Sequence, residues 1–149
     1  MKIGKYMFQW FRIPNIPKAT GKITLSSIKR KFPNVEHLHI SDSSFKSISL
    51  ESFESLLEID KFKLMPYIPN DRDCDDFAKQ LSGFIGVIYP NICFGEVWLD
   101  MKSGDEWVKH AMNIFIDDSG KVWLVEPQNH YIYDYSQVKR IMIPYMIKI

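Results

Sequence analysis

Cys74 lies in the run Asp73-Cys74-Asp75-Asp76-Phe77-Ala78, and its setting makes it a candidate nucleophile. Asp73 suits an N-cap, so Cys74 becomes the first residue of a helix. The unsatisfied N–H groups and the positive end of the helix dipole favour a thiolate there, and the thiolate is the reactive form. The plain alternative is a small side chain at a crowded helix start. Cys93, the other cysteine, has no such neighbours and reads as a buried, inert thiol.

His110 and Glu126 supply the groups a reactive cysteine needs. Asp118-Ser119-Gly120 predicts a three-residue hairpin loop with Gly120 left-handed, which pairs Asp117 with Lys121 and sets Met112 opposite Glu126. His110, Met112, Ile114 and Ile116 then share a face, and Glu126 shares one with Val122 and Leu124. His110 becomes the diagonal neighbour of Glu126, about 7–8 Å away between backbones. A slip of one residue would put the two on opposite faces. A carboxylate beside the imidazole fixes its tautomer and stabilises the imidazolium. Sulfur, imidazole and carboxylate together point to a cysteine hydrolase that cleaves amide bonds through an acyl-enzyme, on a protein or peptide substrate. Transamidation and deamidation would use the same three residues, and a non-catalytic calcium-dependent binding module on the same fold is the competing reading.

The segment from Asp73 to Ala78, with His110-Ala111-Met112-Asn113 and Trp123-Leu124-Val125-Glu126-Pro127-Gln128-Asn129, resembles papain-like and transglutaminase-like cysteine peptidases. It is most similar to the C-terminal catalytic domain of the Marasmius-type fungal agglutinins, in which the third member is also a Glu. The resemblance runs from about Tyr67 to His130 and implies Cys74, His110 and Glu126 as catalytic residues. The agglutinins' sugar-binding trefoil has no counterpart here, so sugar binding is not carried over.

Asp73, Asp75 and Asp76 crowd the thiol, and negative charge raises a thiol pKa. A bound cation would relieve this, and oxygen donors suit Ca²⁺. The resemblance implies calcium dependence, with Asp75 and Asp76 as ligands; Gln128 or Asn129 offers a further side-chain oxygen from the loop after Glu126. Solvated aspartates at a helix N-terminus are the alternative.

The elements that must position these groups read as α+β. Ser26 to Lys31 predicts a helical turn, Glu36 to Ile40 a short strand, and Ser49 a cap for a helix carrying Leu50, Phe53, Leu56 and Leu57. Phe62 to Tyr67 reads as extended, and Asp73 to about Val87 as a helix with Phe77, Leu81 and Phe84 or Ile85 on one stripe. Strands follow at Phe94 to Leu99, His110 to Asp117, Lys121 to Glu126 and Val138 to Ile143. A helix first and an antiparallel sheet after it give the nucleophile-bearing helix a surface to pack on. Ile3 to Ile13 reads as a strand or a short amphipathic helix.

One domain over 1–149 fits the length. A net charge of +1 with scattered Lys and Arg offers no basic face, which argues against nucleic acid. No apolar run approaches the roughly 20 residues of a membrane span, and no signal peptide is visible, so the default address is cytoplasmic. His37, His39 and His130 read as surface histidines. Trp98, Trp107 and Trp123 read as groove walls or core aromatics.

Overall fold

The computed structural model describes residues 16–149, so the expected element at Ile3 to Ile13 lies outside the described residues. In chain order the elements are β1 (Gly21–Thr24), α1 (Leu25–Lys31), β2 (His37–His39), β3 (Ser44–Ser47), α2 (Leu50–Leu57) and α3 (Cys74–Ile88). They continue with β4 (Phe94–Ser103), β5 (Glu106–Ile116), β6 (Val122–Val125), β7 (Ile132–Asp134), α4 (Tyr135–Val138) and β8 (Met142–Lys148). β1 and β3 form a two-stranded ribbon. The rest form a six-stranded sheet in the order β2-β8-β4-β5-β6-β7, antiparallel except where β2 runs parallel to β8. The α+β expectation holds at this level.

Alternation along β5 explains why its second half is buried throughout. Met112, Ile114 and Ile116 join Val97, Leu99 and Leu124 in one apolar cluster, together with Ile28 of α1 and Phe32 just after it, and flanked by Tyr135 and Val138 of α4. Phe115 belongs to the opposite cluster, with Phe53, Leu56 and Leu57 of α2 and Leu81, Ile85 and Ile88 of α3. A strand with apolar residues of both parities is one packed on both faces.

The β5–β6 hairpin has the register the turn demands: Asn113 faces Val125, Ile116 faces Val122, and the Asp117 N–H donates to the Lys121 carbonyl. Gly120 has φ +82°, a conformation that a side chain would strain. Asp117 is buried, yet its Oδ1 accepts from the Ser119 and Lys121 amides and its Oδ2 from the Trp123 indole at 2.8 Å. Burial pushes its carboxyl up, but these hydrogen bonds outweigh it and hold the pKa below the ordinary value.

Several expectations needed correction. Phe62 to Leu64 is a 3-10 turn rather than extended, because the Asp60 carboxylate accepts from the Phe62 amide and closes the chain. Val138 ends α4 instead of opening a strand: Asp134 caps that short helix through Ser136, and the last strand begins at Met142. β4 and β5 run past their expected ends into a hairpin at Gly104, which has φ +62°.

Gly95 permits the close approach of β8 to β4. A Cβ there would lie 2.0 Å from the Lys148 carbonyl oxygen. Gly95→Ala is therefore expected to cost about 1–3 kcal/mol by forcing the end of β8 away, read as a lower urea midpoint at unchanged slope.

Candidate functional site

The start of α3 meets the sheet where β4, β5 and β8 lie side by side. A cavity of about 160 Å³ is lined there by Asp73, Cys74 and Asp75 from the helix, Trp98 from β4, Lys109, His110 and Ala111 from β5, and Tyr145 from β8. Asp73 stands at the N-cap position in extended conformation, and its amide donates to Asp76 Oδ2 at 3.4 Å. The helix start therefore falls where the capping pattern predicts, with Cys74 as first residue and half-buried.

His110 Nε2 and Glu126 Oε2 are 2.7 Å apart, both largely buried. The other carboxylate oxygen of Glu126 accepts from the Gln128 amide at 3.4 Å. Glu126 is thus held by its own loop, and it holds the imidazole in turn. The structure brings Cys74 and His110 into one cavity and Glu126 onto the histidine. Cys93 is fully buried, and burial pushes its thiol up to about 12.

Tyr145 and Trp98 were missed as a pair, and a β-bulge explains Tyr145. Trp98 faces Met146 while the next residue, Leu99, faces Pro144, which leaves Tyr145 without a partner on β4. An extra residue of this kind re-aims a side chain, here toward the cavity. Pro144 is tolerated because β2 pairs only with Met146, Ile147 and Lys148, so the missing N–H interrupts no ladder on that side. Lys109 Nζ lies 4.3 Å from the centre of the Tyr145 ring and 3.2 Å from Asp100 Oδ1.

Asp73, Asp75 and Asp76 each place a carboxylate oxygen within 4.8 Å of the others. The closeness of the Asp75 carboxylate, with burial and the neighbouring charges, raises the Asp73 carboxyl; the same closeness, with the hydrogen bond from Lys79, lowers Asp75. Asp73 Oδ1 is buried and has no hydrogen-bond partner. Three hard oxygen donors with one orphaned acceptor fit Ca²⁺, although Lys79, paired with Asp75, would have to give way. Gln128 is half-buried and is tied to this region through the Glu126 carboxylate rather than through the aspartates.

His130 is not the surface residue expected. Its Nε2 lies 2.8 Å from Asp60 Oδ2, and both side chains are nearly inaccessible. Its backbone is left-handed at φ 61°, and its amide donates to the Glu126 carbonyl at 2.7 Å, closing the loop behind Glu126. Trp123 packs beside the α2–α3 cluster, Trp107 is half exposed, and His37 and His39 are exposed on β2.

The fold and cleft define an α+β protein with a polar, aromatic-walled site at a helix start. Among solved structures it is similar to a complex of PSL1a with E64, at 17% identity and TM-score 0.69, over 86% of this chain and 51% of that one. It is similar also to Polyporus squamosus lectin bound to the human-type influenza-binding epitope Neu5Aca2-6Galb1-4GlcNAc, at 17% identity and TM-score 0.68, over 86% of this chain and 49% of that one. The chain spans about half the length of these proteins, and at this identity the likeness is one of fold. No protein-family model matches the chain, and no curated protein does.

These comparisons correct the peptidase expectation. The two solved structures named above are those of a lectin, and no family or curated match offers a cysteine peptidase in its place. The thiol-protease, hydrolase and catalytic-triad readings, and the likeness to papain-like enzymes, are withdrawn on that finding. A protein or peptide substrate has no support here either. The physical reason is that a cysteine at a helix start beside a His–Glu pair describes local geometry, and one fold hosts many functions. Among the described residues no helix is long and apolar enough to cross a membrane.

Proposed function

We propose that the chain is a non-catalytic, calcium-dependent binding module that takes a carbohydrate in the cleft at the start of α3. The observation that carries this reading is the convergence of Trp98 and Tyr145 with Cys74, His110 and Lys109 around one cavity. Sugar rings present apolar C–H faces and polar edges. Half-buried aromatic rings with a few fixed hydrogen-bonding groups suit both. Glu126 keeps His110 in one orientation, so the imidazole meets a hydroxyl without first losing rotamer freedom.

An acidic sugar such as that named for the Polyporus squamosus lectin brings a carboxylate. Lys109 offers it a cation, whereas Asp73, Asp75 and Asp76 repel it. Ca²⁺ held by the three aspartates would remove that repulsion and supply the charge the site lacks. Gln128 stays a candidate for a further ligand through its side-chain oxygen.

Calorimetry tests this with Neu5Aca2-6Galb1-4GlcNAc and E64 as separate probes, each with Ca²⁺ and with a chelator. Saturable binding of the sugar with Ca²⁺ is expected, weakened about five- to tenfold by Trp98→Ala through loss of the aromatic face. Asp75→Asn is expected to diminish the heat of Ca²⁺ binding in the absence of sugar. Binding of E64 alone, with the sugar inert in both conditions, would remove the carbohydrate reading. Ca²⁺ heat unchanged in Asp75→Asn would remove the metal site.

A further inference from the structure

A larger cavity lies on the other flank of α3 and plays no part in the cleft described above. It encloses about 420 Å³ between the middle of α3 and the last residues of the chain, with Ser82, Phe94, Glu96, Ser41 and Ile149 on its walls. A second hollow of about 190 Å³ continues it toward Asn91 and shares Ser41, Ser82, Phe94 and Ile149. The two form one groove with hydroxyls along its sides and Phe94 and Ile149 as apolar surface.

Glu96 is the unusual group in this groove. It is 7% exposed, and its Oε2 is buried without a hydrogen-bond partner. Asn113, its partner across β4 and β5, donates elsewhere, to the carbonyls of Ala78 and Gly95. Among the described residues no salt bridge reaches Glu96. Lys148, its cross-strand neighbour on β8, shares the cavity wall and Lys79 lies on α3, but both are exposed and neither closes a salt bridge to it. An unpaired carboxylate oxygen at a buried wall is costly, and a donor arriving from the groove would remove that cost.

We propose that this groove is a second ligand site, selective for a small primary amine with an apolar stem, its ammonium on Glu96 and its stem on Phe94. A cation answers the buried charge as well as the missing hydrogen bond, whereas a neutral alcohol answers only the second. Burial raises the Glu96 carboxyl above its ordinary range, and the approach of an ammonium would favour its ionised form. This site is independent of the sugar cleft, and either can fail without the other.

The probe is benzylamine, with benzyl alcohol as the neutral control, followed by amide chemical shifts of the whole chain. Saturable shifts at Ser82, Gly95 and Ile149 are expected with the amine, with the alcohol weaker. Glu96→Gln should weaken amine binding about tenfold or more, since a charge-assisted bond is lost. Should Glu96→Gln fail to fold, Ser82→Leu, at a half-buried position on the groove wall, must block binding instead. Equal affinity for amine and alcohol, shifts confined to Trp98 and Tyr145, or binding undiminished in these variants would overturn the proposal.

Discussion

Replacing Asp60 with alanine is expected to lower the free energy of unfolding by about 3–5 kcal/mol, among the largest single losses this chain can suffer. The carboxylate is fully buried and accepts from the Phe62 amide on one oxygen while meeting His130 on the other. Its removal leaves an imidazole buried without a partner and frees the turn that leads toward α3. His130 also closes the loop behind Glu126, so the damage should extend to the cleft. The pH dependence follows from the carboxyl itself. Burial raises its pKa, but the hydrogen bonds from His130 and Phe62 together with the attraction of His130 outweigh this, and the folded value lies below the ordinary 3.8. A depressed carboxylate stabilises the fold fully above its unfolded pKa and loses that contribution as pH falls through the folded value. The gap between wild type and Asp60→Ala should thus be widest near neutrality and narrow below about pH 4. Urea titrations at several pH values read both quantities. A gap constant down to strong acid would show that the pair does not carry the stability.

Phe53→Ala is expected to cost a comparable amount, about 3–5 kcal/mol, for a different reason. Phe53 is fully buried, stacks on Phe115 with ring centres 4.0 Å apart and planes 11° from parallel, and leans on Phe94 at 5.2 Å. With Leu56 and Leu57 it joins α2 to the cluster beneath α3. Truncation removes apolar contact and leaves a cavity that a rigid neighbour such as Phe115 fills poorly. Phe53→Leu, which keeps much of the volume, should lose distinctly less. A shift of urea midpoint at constant slope checks both. Equal losses for alanine and leucine would mean that packing volume is not the cause.

What was legible in the sequence is what lies near its own determinants. Asp118-Ser119-Gly120 fixed the β5–β6 register, and with it the meeting of His110 and Glu126, because turn length and side-chain alternation are local rules. Ser49 and Asp73 likewise marked the starts of α2 and α3. The Asp60–His130 pair joins residues 70 positions apart, and no spacing rule reaches that far. Tyr145 enters the cleft through a bulge set by β8 lying on β4, and Glu96 gains its groove only when α3 covers the sheet. β1 and β3 escaped notice because short strands with few apolar residues carry little periodicity. The misstep in function was of another kind. His110 meets Glu126, and Cys74 and His110 line one cavity, but proximity of groups does not name a reaction.

The contrast between the two sulfurs makes the molecule easy to instrument. Cys93 is sealed in the interior with its proton held to about 12, while Cys74 opens on the cleft. A maleimide dye or a nitroxide applied near neutral pH would thus attach at one position without any residue being engineered away. The natural chain already carries a single handle, placed where an arriving ligand would change the signal.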